Sequence, residues 1–313
     1  MHRAILSLLD PIQSYGRVSL VWSFKKLTVF VASSDRDSSL LWVAKVARHP
    51  SSISALEREH KALHYLEPWA ETLQIPRVLS WESDAESACL VQTAITGGAS
   101  RFHLDTSAPA QVVATVWDPA FDWISRFEQI VPPPRRVALG DHLEQLLAQL
   151  QEDSAALPVA RILAETRHRL PRLLSREARP AHGDFAPGNL VLTERGLGVV
   201  DWEEFGPAFP LQDLLTIVCN SEYYAGKKRR DLLETYAHVL FSQSPACRLM
   251  LSRIQPAGLD QHELGFCFYA YLGTRIRFQK SVCAADWTAF LNYLEKFGYP
   301  GPGTVIPTPK GFP

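Results

Sequence analysis

The chain has 313 residues, 46% hydrophobic and 21% charged, with a formal net charge of −1. That length allows one large domain or two lobes. The near-neutral balance excludes the global basic field that recruits nucleic acid or an anionic membrane surface.

The N-terminal MHRAILSLLDPIQSYG is a short apolar stretch broken by Asp10 and Pro11, without a signal peptide's long apolar core. No window reaches the roughly 18 apolar residues of a membrane helix. The five cysteines, Cys89, Cys219, Cys247, Cys267 and Cys283, include no CxxC pair. That argues against a zinc site or disulfide framework and for a reducing compartment. A soluble, cytoplasmic protein without nucleic-acid or membrane partners is the expectation.

Residues 17–47 predict three strands, RVSLVWSF, LTVFVAS and LLWVAKVA, joined by polar turns. SSISALEREHKALHYL predicts a helix capped by Ser51 or Ser52, with Ile53, Leu56, His60, Leu63 and Leu66 at helical spacing. IPRVLSWES and SACLVQTAI predict two further strands, ending near Ile95. Gly97-Gly98 marks a break, after which helical periodicity dominates: DHLEQLLAQLQED, ARILAETRHRLPRLLSRE, RRDLLETYAHVLFSQ, QHELGFCFYAYLGTRIRFQ and AADWTAFLNYLEKFG. NLVLTERGLGVVDW is the β interruption, a hairpin. The expected organisation is an N-terminal lobe over 1–95, a helical lobe over 96–300 and a Pro/Gly-rich tail over 301–313.

The hairpin carries the chemistry. Antiparallel arms lie about 5 Å apart, so they bring Asn189 and Asp201 together, and Asp184 stands just ahead of the first arm. Such oxygen ligands suit Mg²⁺, which takes one or two carboxylates and fills the rest of its shell with phosphate oxygens and water. Phosphoryl transfer needs that kind of site, together with a residue that orients the acceptor hydroxyl and a lysine on the donor phosphates. Taken singly, each residue has a plainer reading: HGDFAPG is turn-rich, Lys45 could be a surface lysine, Glu59 an exposed helix charge and Asp213 a helix cap.

HGDFAPGN followed by VVDWE resembles the catalytic loop and metal-binding segment of the aminoglycoside phosphotransferase and choline kinase family. The matching positions are His182, Gly183, Asp184, Asn189, Asp201 and Glu203. The resemblance covers about residues 17 to 300 and implies an α+β, two-lobed protein-kinase-like fold. Its N-lobe would be an antiparallel sheet with one helix, and its C-lobe mainly helical. It implies Asp184 as catalytic base, His182 as a buttress of the loop, and Asn189, Asp201 and Glu203 as Mg²⁺ ligands. Lys45 would hold the donor phosphates with Glu59 as its partner, and Asp213 would brace the catalytic loop. The hinge for the purine would lie at Gln92, Thr93 and Ala94. The donor would be ATP, with GTP as the alternative, and the acceptor a hydroxyl of a small molecule.

One element departs from the kinase pattern. The first hairpin turn, Ser23-Phe24-Lys25-Lys26, has no glycine. That leaves room for a second reading, a kinase-like nucleotide- or partner-binding protein without catalysis. For the acceptor site the candidate walls are Asp122 and Trp123, Glu222 and Tyr223, and the helix from Tyr269 to Arg277. The basic residues Arg275, Arg277 and Lys280 favour a neutral or anionic acceptor, such as a sugar or sugar derivative, over a polycation. The aromatics Phe266, Phe268, Tyr269 and Tyr271 are expected in the core.

Overall fold

The computed structural model describes residues 17–24, 27–34, 40–99, 113–153, 156–225 and 258–278. The chain divides into two compact units, residues 1–100 with 188–205, and residues 101–187 with 206–313. The segment that carries Asn189 and Asp201 thus groups with the N-terminal residues, not with the helices on either side of it in sequence.

The first unit is built on an antiparallel sheet of β1 (Arg17–Phe24), β2 (Leu27–Ser33), β3 (Leu40–Ala47), β4 (Val78–Ser83) and β5 (Ala88–Thr93), in the order β1-β2-β3-β5-β4. Side chains alternate across a strand. Trp42, Ala44 and Val46 of β3 therefore pack with Ala32, Cys89 and Val91 into one apolar cluster. Lys45 points to the other face, in register with Val29 and Leu90.

Helix α1 (Pro50–Leu66) follows β3. Its cap is His49, not Ser51 or Ser52: the His49 ring accepts from the Ser51 amide at 3.4 Å. Proline at the first helical position needs no N–H partner and has its φ preset, which moves the helix start upstream of the serines. The buried face is Ile53, Leu56, Glu59, Ala62, Leu63 and Leu66. Glu59 thus takes a place on the apolar stripe, while His60 stacks on Trp81 with ring centroids 4.7 Å apart.

A short helix α2 (Ala70–Leu73) ends at Gln74, which has a left-handed φ of 53°. The hairpin of β8 (Leu190–Thr193) and β9 (Gly196–Val199) is tied here. Gln74 Nε2 donates to the Arg195 carbonyl at 3.0 Å, and the Val199 amide donates to the Gln74 carbonyl at 3.2 Å. Strand β6 (Gly98–Ala99) pairs with β8. Gly97 (φ +156°) makes that approach feasible, since a Cβ there would lie 2.1 Å from the Leu192 carbonyl oxygen.

The second unit is mainly helical: α3 (Asp118–Ile130), α4 (Leu139–Gln151), α5 (Leu157–Thr166), α6 (Pro171–Leu174), α7 (Gln212–Ala225) and α8 (Gln261–Phe278). A small ladder joins β7 (Arg179–Ala181) to β10 (Gly206–Ala208). The helix expected over residues 160–177 is interrupted. α5 ends at Thr166, and Leu170 leaves the helical region (φ −123°, ψ 39°) before Pro171 opens α6. A proline clashes with a helical residue ahead of it, and that is the cause of the break.

Leu143 and Leu150 of α4, Val159 and Leu163 of α5, and Phe266 and Tyr271 of α8 are buried in this unit. Phe268 is buried as well, and Tyr269 borders a cavity of about 270 Å³. The helices expected over 229–243 and 284–298, the tail from residue 301, and Cys247 and Cys283 lie outside the described residues. Among the described residues Cys89, Cys219 and Cys267 are buried free thiols, and no helix is long and apolar enough to cross a membrane.

Candidate active site

The centre of the first unit is an ion-pair cluster on Lys45. Its Nζ donates to both Glu59 oxygens at 2.8 Å and to Asp201 Oδ1 at 2.7 Å. The side chain of Glu59 is 1% exposed and that of Asp201 42% exposed. Burial alone would lower the Lys45 ammonium's pKa, but the two carboxylates outweigh it and hold it above its ordinary value. For Glu59 burial pushes the carboxyl up, and Lys45 is the main opposing influence. The cluster follows from local sequence. The two-residue period of β3 aims Lys45 at α1, and the helical spacing of α1 turns Glu59 inward.

Asp201 is held by the hairpin. The Val200 amide donates to the Asn189 carbonyl at 3.0 Å, one step beyond the Leu190–Val199 pair, so the two arms keep Asn189 beside the Asp201 segment. Trp202 is fully buried and its indole donates to the Val199 carbonyl at 3.0 Å. Between them Asp201 adopts φ +72°, an uncommon conformation for a non-glycine residue. Such strain persists only where the surroundings over-determine it, and it concentrates at functional sites.

Glu203 stands next along. Arg58 Nε donates to its carbonyl at 3.1 Å. Burial, then the neighbouring Asp201 and Glu204 charges, push the Glu203 carboxyl up to about 7. A cavity of about 360 Å³ is lined by Lys45, Glu59, Asp201 and Glu203, with Ser51 and Arg58 among its other walls.

In the second unit the loop after β7 presents Asp184. His182 is fully buried, and its Nδ1 accepts from the Asp184 amide at 3.2 Å. Asp213, in the first turn of α7, accepts from the His182 amide at 2.7 Å and the Gly183 amide at 3.0 Å. It braces the loop and does not cap its own helix. Burial pushes the Asp213 carboxyl up to about 7, although both amide bonds favour the charged form. From α8, Arg275 Nη1 donates to Asp184 Oδ1 at 3.0 Å.

The model of the phosphotransferase enzyme family, APH, matches residues 20–249. The chain belongs to this family. Two curated relatives, both Protein LicA of Haemophilus influenzae, are 41% identical over 61 residues, 19% of this chain. The matched segment is 22% and 17% of their own length, so the chain spans about a fifth of these relatives. Aminoglycoside phosphotransferase APH(3'')-Id from Streptomyces rimosus shares the fold with a TM-score of 0.58, at 21% identity over 87% of this chain and 98% of that one. The amicoumacin kinase hAmiN, in complex with AMP-PNP, Ca²⁺ and Ami, gives a TM-score of 0.53 at 15% identity, over 95% of each chain. These likenesses establish the protein-kinase-like fold.

The other expected positions lie in different settings. Gln92 is buried, and its Oε1 has no hydrogen-bond partner among the described residues. Ala94 donates its amide to the Leu41 carbonyl at 3.1 Å, so that N–H is already engaged within the unit. A cavity of about 730 Å³ runs along Thr93 to Gly97 and the Leu192–Arg195 tip of the hairpin. Lys45, Glu59 and Asp201 do not line it, so its size does not make it the centre of the chemistry.

Trp123, expected in an acceptor wall, is instead core. It is fully buried and stacks on Phe127 at 5.0 Å and Phe185 at 5.2 Å. An indole on the apolar stripe of α3 gains more from burial than from lining a wet pocket. Asp122 is exposed on the same helix. Glu222 and Tyr223 fall in α7, and Arg277 in α8, but their side chains lie outside the described residues, as do Lys25, Lys26 and Lys280. The Arg275–Asp184 pair was not anticipated. The available signal was a charged residue in the middle of an apolar helix, which has to be paired if it is buried.

Proposed function

We propose that the protein transfers the γ-phosphate of ATP to a hydroxyl of a small molecule, with a divalent cation, Mg²⁺, at the donor phosphates. The observation that carries this reading is the assembled Lys45–Glu59–Asp201 cluster, a phosphate-binding ammonium already fixed between two carboxylates.

The residues present fit the cation. Glu203 is pushed up to about 7 partly by Asp201 and Glu204, which marks a surplus of negative charge that a cation would relieve. Among the described residues no group of three His, Cys, Asp or Glu side chains could hold a metal. Mg²⁺ asks for less than that, one or two carboxylates with the rest of its shell from phosphate and water. Asn189, Asp201 and Glu203 would hold it, and it would neutralise charge on the donor phosphates.

Lys45 binds and orients those phosphates and adds positive charge where it develops. Asp184 accepts the hydroxyl proton, the hydroxyl oxygen forms the new bond to the γ-phosphorus, and the bond to the bridging oxygen breaks, with its electron pair leaving on ADP. Asp213 and His182 hold the Asp184 loop through the three amide bonds above. A neutral or anionic acceptor, such as a sugar or sugar derivative, is supported by the guanidinium that already compensates the Asp184 carboxylate.

The test is incubation with ATP, Mg²⁺ and a pool of aminoglycosides, amino alcohols, sugars and sugar derivatives, followed by mass spectrometry. A product heavier by one phosphoryl group, absent with Asp184→Asn, is expected among the sugars. Turnover that survives in Asp184→Asn refutes the assignment.

A further inference from the structure

The buried positions of α8 are apolar from Leu264 to Leu272, and then Arg275 places a guanidinium in the same interior. Desolvating a charge is costly unless it is paired and hydrogen-bonded, and Arg275 is held on several sides. Nη1 donates to Asp184 Oδ1 at 3.0 Å. Nη2 donates to Thr216 Oγ1 at 2.8 Å and makes a longer contact, 3.5 Å, with the Gly183 carbonyl. The guanidinium carbon sits 5.7 Å from the Tyr271 ring centroid. Thr216 is fixed in turn, since its hydroxyl donates to the Gln212 carbonyl at 2.8 Å.

The exposure of the pair is lopsided. The Arg275 side chain is 7% exposed and that of Asp184 is 41% exposed. A pair serving only to fill the interior would bury both partners. Here the cation is sunk in the unit and the carboxylate it grips stays open to solvent. Lys45 and Asp201 show the same pattern, 12% against 42%.

We propose that Arg275 is a positioning residue for the transfer reaction: its fork, anchored on Thr216 and Gly183, fixes the Asp184 carboxylate in the orientation that receives the acceptor hydroxyl. This rests on Asp184 being the acceptor-activating group. The planar fork is what matters. Lysine would keep the charge, but it cannot reach Asp184 and Thr216 in two fixed directions.

The experiment measures MgATP turnover with water as acceptor for the wild type and for Asp184→Asn, Arg275→Ala, Arg275→Lys and Thr216→Val, with melting temperatures and the KM for ATP. A misplacement of about 1 Å costs about 100-fold, so Arg275→Ala and Arg275→Lys should lose kcat on that scale with the KM for ATP unchanged. Thr216→Val, which removes an anchor without touching Asp184, should show a smaller loss of the same kind. Free guanidinium should restore part of kcat in Arg275→Ala and none in Asp184→Asn.

A folded Arg275→Lys with wild-type kcat overturns the proposal. So does a loss in Arg275→Ala that follows the melting temperature and resists guanidinium, which would assign Arg275 to packing. If Asp184→Asn is inactive while the Arg275 variants work, the phosphotransfer reading stands and the positioning role falls. Turnover that survives Asp184→Asn removes both.

Discussion

The Lys45–Glu59 pair allows stability and activity to be separated. Glu59 is 1% exposed, and both of its oxygens lie 2.8 Å from Lys45 Nζ. Removing one member of a buried pair costs about 3–5 kcal/mol, because the remaining charge is stranded. The two single variants should differ. Glu59→Leu leaves Lys45 its second partner, Asp201 at 2.7 Å, so its cost belongs at the low end, about 3 kcal/mol. Lys45→Met leaves a carboxylate buried on α1 with its main cation gone, and its cost belongs at the high end, about 5 kcal/mol. In the double variant both charges are gone and two apolar side chains of similar volume meet. Stability should return to within about 1–2 kcal/mol of the wild type, a coupling of about 6–7 kcal/mol. Calorimetric melting of the four proteins measures this cycle, and phosphotransfer measured alongside should be lost in all three variants. A double variant whose loss equals the sum of the two singles would refute the reasoning, since the pair would then be uncoupled.

Two further outcomes follow from the same geometry. Asp213→Asn keeps one amide acceptor of two and strands a buried N–H, so it should lower stability by about 1–3 kcal/mol. It should also flatten the pH dependence. A carboxyl raised to about 7 in the folded protein contributes stability in full below its unfolded value of about 3.9, and the contribution disappears as pH rises through about 7. The wild type should therefore lose stability from pH 5 to 8 more steeply than Asp213→Asn, by melting in matched buffers. Asp201→Asn should abolish the Mg²⁺-dependent part of the thermal stabilisation by ATP, because the carboxylate best placed for the cation is gone. Equal stabilisation of wild type and variant by MgATP would count against Asp201 as a ligand.

The sequence foretold best what local periodicity dictates. Strands 17–24, 27–33 and 40–47 were legible from their alternation, and so was the helix that turns Glu59 toward Lys45. The hairpin was legible too, because the arms around Thr193–Gly196 leave Asn189 and Asp201 as flanks. What stayed hidden depends on competition between elements. The serines of α1 look like caps, yet Pro50 and His49 take the helix start. Trp123 looks like a pocket wall, yet Phe127 and Phe185 offer it a better partner.

Arg275 is the clearest case. Helical spacing puts Tyr271 and Arg275 four apart on one face, but only the fold brings Thr216 of α7 and the Asp184 loop, 59 and 91 residues away in sequence, to the same guanidinium. Burial of that arginine is costly unless every contact is kept, so the tolerance of position 275 to change should follow the demand for an oriented Asp184 and not the demand for a filled core. A hydrophobic substitution that restores the melting temperature without restoring turnover would express that difference directly. The residue would then belong to the chemistry, although the buried positions of the helix that carries it are apolar from Leu264 to Leu272.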